Sequence, residues 1–583
     1  MISAGAALTV FLVWYIGLLG NTYRVSQPIK NLHAEVAQSV EQRTENPCVA
    51  GSIPALGKFL SLTPDGRIGS DTKMLIASAL CSERSANRLV IALSFALFCM
   101  LNLSVQAQNA GKETFRIKPY LQLGDHQALH SPEQLDLCWM AAGDSDKWQV
   151  ESRSDDKSTW QEQEKPKANV SASYNELPPN RLFSFESTIG GLAPGASFQY
   201  RILKNGEEVF KAQGVARKPR QQPYHFAVFG DMGANSPGQK QVAFQIFNNK
   251  PDFIMFAGDI VYVMGLLSEY FEKFFPIYNA DTASPDMGAP IMRSIVTLGV
   301  IGNHDVALGD NKNGVNLQKF GDNALAFYKI WSEPLNGPLK DAKGLDIPKL
   351  LGSKDLVDSF ESSVGKKYPR MANCSFDYGN SHWLVLDANP YVDWTDESLR
   401  KWVADDLAKA KDATWKFVCF HQPGFSYDLS HYKEQRMRLL SDLFERGGVD
   451  IVFSGHAHDY QRSYPLKFKA KREGGKPAIN SDGTVDGDFT FDKQYDGLSK
   501  TKPHGIIYLV TGAGGAKLYG PISERFPSIP KTFTFKFDSD HYSFTACDIN
   551  GPTLKINQIN GDGTILDSFT VEKSHSPNKQ VLQ

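Results

Sequence analysis

Five short apolar runs in this chain each stop at a side chain that can hold a metal. HFAVFG (225–230) stops at Asp231, FIMFAG (253–258) at Asp259, IVTLGVIG (295–302) at Asn303 and WKFVCF (415–420) at His421. DIVFSG (450–455) stops at His456, with His458 two residues on. Apolar runs of this length between turn signals read as buried strands. Helical patterns fall between them, at Gln239–Asn248, at Leu266–Phe275 and in a stretch that Thr395 can cap and that runs to about Lys411. Strands alternating with helices make an α/β layered core, whose strand C-termini line one crevice. Asp, Asp, Asn, His and His-x-His delivered to one edge can bind two metal ions. The glycines allow the turning backbone to come close. Each motif alone reads as a turn or a cap; five in order, each directly after an apolar strand, do not.

The texture before residue 224 is different. Residues 112–218 read as all-β, with alternating stretches such as Gln134–Trp139 and Phe183–Thr188 between turn clusters. Gly190–Phe210 carries a Pro-Gly turn, an alternating strand and an Asn-Gly hairpin turn. The linker Lys218–Pro223 marks a boundary, and residues 224–573 form the second domain. Two polar insertions interrupt its rhythm, at 309–370 and 466–503, and a β pattern returns at 530–573.

Length allows three or four domains: 583 residues at roughly 100–200 each. Lys+Arg number 62 against 64 Asp+Glu, which gives no reason to expect nucleic acid or an anionic membrane surface as partner. Ahead of residue 108, Arg84 and Arg88 precede the apolar run Leu89–Leu101, and Val105-Gln106-Ala107 follows it. A basic region, an apolar region and a small-residue cleavage pattern make residues 74–107 a secretory signal peptide starting at Met74. The expected location is therefore secreted or periplasmic, with no membrane attachment after the signal is removed. Residues 1–73 read as a spurious or disordered extension: His33–Gly57 has no sustained period and looks like a translated tRNA gene. The competing reading is an N-terminal anchor at residues 2–20, about long enough to span a bilayer. Four cysteines remain beyond the signal, Cys138, Cys374, Cys419 and Cys547, with few or no disulfides expected.

The motifs GDMG (230–233), GDIVY (258–262), GNHD (302–305), VCFH (418–421) and GHAH (455–458) resemble, complete and in order, those of the calcineurin-like metallophosphoesterases. Tyr262 of GDIVY points within them to the purple acid phosphatases. The resemblance covers residues 112–573 and takes in HQPGFSYDLSHYKEQ (421–435) and YLVTGAGGA (508–516). It implies an α/β fold with a layered β-sandwich core flanked by helices, preceded by a fibronectin type III-like sandwich. The two insertions depart from the family pattern and leave substrate selectivity open.

The resemblance also implies roles. Asp231, Asp259, Tyr262 and His458 would hold metal A; Asp259, Asn303, His421 and His456 would hold metal B, with Asp259 bridging. Phenolate and carboxylates suit Fe(III) at the tyrosine site, and imidazole with an amide oxygen suits divalent Fe, Zn or Mn at the other. His304 would contact the substrate phosphate and protonate the leaving oxygen. His431 would face the substrate, and Asp305 would support the ligands from behind. Tyr460, Arg462 and Trp394 receive no role. Asp482–Asp488 and Asn560–Gly563 lack the full calcium-loop spacing and read as turns. Gly512–Gly515 lacks the Lys-Ser/Thr of a phosphate loop and reads as a tight turn beneath the site. The leading expectation is an exported acid phosphatase acting on small phosphomonoesters with a metal-bridging hydroxide. A phosphodiesterase or nucleotide phosphohydrolase is the alternative, since fold does not settle substrate. A binding or adhesion protein with an inert catalytic domain would have lost a ligand, and none is lost.

Overall fold

Alternation of buried and half-buried residues shapes the first part of the chain, as along residues 183–190. The computed structural model describes residues 114–573 apart from 144–145, 173–181, 307–313, 339–347 and 529–530. The extension (1–73) and the signal segment (74–107) lie outside the described residues. One antiparallel sheet orders Ile117–Gln122, Glu133–Ala142, Leu182–Leu192 and Lys167–Ala172; a second orders Gln161–Glu162, Trp148–Arg153, Ser197–Lys204 and Glu207–Val215. Trp139 of the first sheet meets Trp148 of the second at 5.7 Å between ring centroids, and Phe185 lies 5.3 Å from both. Asn205 (φ 54°) and Gly206 (φ 88°) make the two-residue turn of the last hairpin.

From Tyr224 two larger sheets face each other. The first orders Val296–Gly299, Phe253–Phe256, Tyr224–Phe229, Ser543–Asn550, Thr553–Asn560 and Ile565–Glu572. Its first three strands are parallel, and the chain's last three strands complete it. The second orders Cys374–Tyr378, Ser381–Leu386, Trp415–Phe420, Ile451–Ser454, Ile507–Thr511, Tyr460–Ser463 and Thr534–Asp538. Phe226 and Phe253 of one sheet reach Trp383 of the other at 5.2 and 5.5 Å, and Phe226 also reaches Phe417 at 5.7 Å. Each such aromatic pair adds ~0.5–1.5 kcal/mol beyond area burial. The buried Arg217–Glu133 pair, 2.5 Å apart, ties the strands before the linker to the second sheet, because the same guanidinium donates to the carbonyls of Ala128 and Asp377.

Several expected elements shift. Asp396, not Thr395, caps the helix, accepting from the Ser398 and Leu399 amides at 2.8 and 3.2 Å; the helix runs Glu397–Lys409 and stops short of Lys411. Thr395 is engaged instead by Asp393. The first helix spans Pro237–Asn249 under a Ser236 cap. The stretch read as one helix at Leu266–Phe275 is a three-residue helix, a π-turn at Tyr270–Phe274 and a short helix Phe275–Tyr278. The described residues of segment 309–370 are not a polar excursion: Leu317, Leu325, Phe327, Tyr328 and Trp331 are fully buried and join one core with Phe229 and Ile260. The segment 466–503 folds as a hairpin, Leu466–Ala470 against Gly487–Phe491, that buries Leu466 and Phe468. The turns at Asp482 and Asn560 are closed by their own side chains, which accept from the Thr484 and Thr564 amides. The four cysteines are free and buried. Among the described residues, no helix is long and apolar enough to cross a membrane.

Candidate metal centre

The strand ends converge as the sheet topology requires. Asp231 follows Tyr224–Phe229, Asp259 follows Phe253–Phe256 and Asn303 follows Val296–Gly299, all in the first sheet. His421 and His456 follow adjacent strands of the second sheet. All seven candidate ligands meet across the crevice between the sheets. The glycines between strand and ligand are needed there for space. A Cβ on Gly302 would stand 2.2 Å from Asp259 Oδ1, and one on Gly455 would stand 2.6 Å from Asp231 Oδ2. Gly512 passes so close beneath that its Cβ would stand 2.1 Å from the Ala457 carbonyl and 2.7 Å from Asp231 Oδ2. This is the floor expected of Gly512–Gly515. Asp231 (φ 60°), Asp259 (φ 47°) and His456 (φ 69°) adopt left-handed backbone. Such conformations cost of order ~1–3 kcal/mol each in non-glycine residues and collect at functional sites.

The hydrogen bonds behind the ligands fix which atoms look inward. His421 Nδ1 lies 2.8 Å from the Ala257 carbonyl, His458 Nδ1 2.7 Å from the Lys517 carbonyl and His304 Nδ1 2.8 Å from the Val263 carbonyl. A carbonyl only accepts, so each Nδ1 carries a proton and each Nε2 is the nitrogen turned to the crevice. His421 Nε2 then faces Asn303 Oδ1 and Asp259 Oδ2, both at 3.2 Å. Two oxygen acceptors facing that nitrogen call for a positive charge there, which a second proton on the ring can supply. Burial alone would lower the His421 pKa; the Asp259 and Asp231 carboxylates outweigh it and raise it to about 10. A bound cation supplies the same charge. Ligand atoms of Asp259, His421 and His456 all lie within 4.8 Å of one another.

Tyr262 occupies the other half. Its hydroxyl donates to Asp231 Oδ1 at 3.0 Å and lies 2.9 Å from His458 Nε2. Burial and the nearby Asp231 and Asp259 carboxylates push its pKa well up, so the phenol keeps its proton until a cation displaces it. His304 stands beside it, 4.6 Å between ring centroids, and its backbone amide donates to Asp259 Oδ1 at 2.8 Å. Asp305 sits behind the ligands, accepting from the Gly302 and Ile260 amides at 2.8 and 3.1 Å, and so locks two ligand turns together. Burial and the Asp259 charge raise its pKa to about 7.

His431 reaches the same crevice from the loop after His421, its ring centroid 3.9 Å from that of His456. Glu434 joins them: one carboxylate oxygen lies 2.8 Å from His431 Nδ1 and the other 3.1 Å from His456 Nε2. Burial would raise the Glu434 pKa, but both histidines outweigh it and hold it well below the usual range. Glu434 served only as context for His431 in the sequence, where nothing ties it to His456. Tyr519, which no sequence motif marks, stacks its ring on His458 at 4.1 Å. Trp394 is core, its indole donating to the Asp387 carbonyl, and Tyr460 and Arg462 are spent on Asp567.

Comparison with known proteins agrees with this geometry. Residues 224–460 match the family model for calcineurin-like phosphoesterases, and residues 505–568 match that for the iron/zinc purple acid phosphatase-like protein C region. The chain is 25% identical over 328 residues to purple acid phosphatase 23 of Arabidopsis thaliana, which covers 51% of this chain and 63% of that relative. It is 30% identical over 203 residues to an acid phosphatase of Aspergillus ficuum, covering 34% of this chain and 29% of the relative. The chain thus spans less than two thirds of the length of these relatives. Purple acid phosphatase PPD1 from yellow lupin (Lupinus luteus) seeds shares the fold, with a TM-score of 0.55 and 16% identity over 78% of this chain and 74% of that one. These matches are to metal-dependent phosphoester hydrolases.

Proposed function

We propose that the protein hydrolyses small phosphomonoesters at a two-metal centre, a reading supported by the matches of residues 224–460 and 505–568 to the calcineurin-like phosphoesterase and iron/zinc purple acid phosphatase-like models. The observation that carries this reading is the convergence on His421 Nε2 of Asn303 Oδ1 and Asp259 Oδ2, each 3.2 Å from it, while the Nδ1 proton is spent on the Ala257 carbonyl. The donor set fits the family's metals. Asp231, Asp259, Tyr262 and His458 would hold Fe(III); Asp259, Asn303, His421 and His456 would hold divalent Fe, Zn or Mn. Such a pair supplies Lewis acidity toward a phosphoryl group and acidifies water near neutral pH. The remaining work belongs to side chains. His304 presents Nε2 at the mouth, 4.0 Å from Asp259 Oδ2, and would protonate the leaving oxygen. His431, held by Glu434, would hold the phosphate from the opposite side. The strands before residue 218 are proposed as a fibronectin type III-like domain, and the protein as exported through the signal ending near Ala107.

The test compares leaving groups. His304→Ala should lose on the order of 10²–10⁴ in kcat for an alkyl phosphate, the usual span of general acid–base catalysis. It should lose far less for 4-nitrophenyl phosphate, whose leaving group needs no proton. Equal losses would reduce His304 to phosphate positioning. A wild-type protein faster on a phosphodiester than on either monoester would contradict the monoester assignment.

A further inference from the structure

Between Asp259 and the short helix Leu267–Glu269 the chain turns through residues 260–266. This turn brings two groups to the crevice: the Tyr262 ring, and the Val263 carbonyl that accepts from His304 Nδ1 at 2.8 Å. Side-chain packing does not hold its tip, since Val263 is 53% exposed and Met264 half-buried. Backbone hydrogen bonds hold it instead. Glu269, itself buried, folds its carboxylate back onto the turn. Its Oε1 accepts from the Val263 amide, and its Oε2 accepts from the Met264 and Leu266 amides, each at 3.0 Å. Lys273 stands one helical turn further on, in the π-turn Tyr270–Phe274. Its Nζ donates to the Tyr262 carbonyl and, at 3.2 Å, to Glu269 Oε1.

The pairing is complete at each peptide unit. The Tyr262 carbonyl and the Val263 amide belong to one unit, and the Lys273–Glu269 pair takes both ends of it. The Val263 carbonyl and the Met264 amide belong to the next. Glu269 takes that amide and leaves the carbonyl to His304. A peptide unit is planar, so fixing the Met264 amide also fixes the direction of the Val263 carbonyl. The far side of the turn is closed as well. The Gly265 carbonyl accepts from the Ala326 amide at 3.0 Å, and a Cβ on Gly265 would stand 2.1 Å from the Asp305 carbonyl oxygen.

From this arrangement we infer that Glu269, braced by Lys273, is a positioning residue for His304. It aims the Val263 carbonyl, which binds the Nδ1 proton and leaves Nε2 as the nitrogen turned to the leaving oxygen. The inference rests on the role proposed for His304 above. Glu269 touches no reacting atom and acts through one planar peptide unit. Its carboxylate meets donors only, three amides and an ammonium. Glu269→Gln keeps the shape but turns an NH₂ group on one set of those donors. Lys273→Met keeps most of the half-buried stem and removes the ammonium.

The test reads the His304 ring first and its use second. The protein is labelled with isotopic histidine and loaded with zinc, a closed-shell ion. Nitrogen NMR of the neutral ring should show His304 protonated at Nδ1, its signal identified by its absence in His304→Ala. Glu269→Gln and Lys273→Met should each move that signal toward the tautomer mixture of an unrestrained imidazole. Turnover should follow: kcat for an alkyl phosphate should fall roughly 10–100-fold, the scale of a displaced catalytic group. For 4-nitrophenyl phosphate, whose leaving group needs no proton, it should fall less than about threefold. A role in stability alone would scale both rates equally and leave the tautomer as it is. Should the glutamine variant fold poorly, Lys273→Met carries the test. Equal losses on the two substrates, no loss on either, or an unchanged ring signal in a variant that melts close to wild type would overturn the inference. The two claims fail separately. A protein that hydrolyses phosphomonoesters but keeps its His304 tautomer in both variants refutes only the inference. One whose tautomer shifts as expected but that shows no turnover refutes only the hydrolase reading.

Discussion

Tyr262 is the residue on which the metal assignment turns. Its hydroxyl lies about equally far from Asp231 Oδ1 and His458 Nε2, at 3.0 and 2.9 Å, which is the placement of a donor to a shared cation. A phenolate bound to Fe(III) absorbs in the visible, so the metal-loaded protein should be pink to purple. Tyr262→Phe keeps the ring and removes one oxygen; it should bleach the colour and loosen one metal, while the melting temperature of the metal-free protein stays nearly unchanged. A colourless wild type with two divalent ions and full activity would contradict the iron assignment and leave the two-metal centre standing. Tyr262 was legible in the sequence because it follows Asp259 at a fixed offset. What holds the ligands was not. Ala257, Val263 and Lys517 act through backbone carbonyls, for which any side chain would serve.

At the scale of elements, strand ends were legible because a buried strand is an unbroken apolar run that stops where the crevice begins. Helix starts were less so. Thr395 and Asp396 are both capping residues, and the choice fell to Asp393, which engages Thr395 and leaves Asp396 to the helix. Asp396→Ala should cost ~1 kcal/mol, typical for a lost cap, read as a lower urea midpoint with unchanged metal content. A shift in metal content would mean the helix Glu397–Lys409 positions the site directly. Segment 309–370 reads as polar because its apolar residues are scattered among polar ones; those described pack singly against helices and strands distant in sequence. Trp331 donates to the Tyr270 hydroxyl and shares a core with Phe256, contacts that carry no local period.

At the scale of the whole molecule, buried titratable groups favour an acidic medium. His382 joins the strand Cys374–Tyr378 to the helix Glu397–Lys409 by hydrogen bonds of 2.9 Å to Asp377 and Asp406. Burial opposes its charge, yet the two carboxylates raise its pKa from 6.5 to about 9. A raised pKa means stability fully present below pH 6.5 and lost as pH climbs through about 9. At 1.36 kcal/mol per unit this is worth up to ~3 kcal/mol. Glu333, pushed by burial from 4.5 to about 8, adds loss in the same direction. Glu434, held below its usual 4.5, gives stability that is lost in stronger acid. Because Glu333 already loses stability above pH 4.5, the melting temperature should peak near roughly pH 4.5 and fall steadily toward pH 9. In His382→Gln the alkaline fall should be shallower; a fall as steep as in wild type would contradict the assignment. The central claim, that Asp259 joins two metal sites fed by strands of both sheets, is tested most directly by metal content. Elemental analysis of the chain purified from Gln108 onward should find two metal ions per wild-type molecule, and Asp259→Ala should retain fewer than one. A wild type free of metal, or an Asp259→Ala variant still holding two ions, would contradict the account.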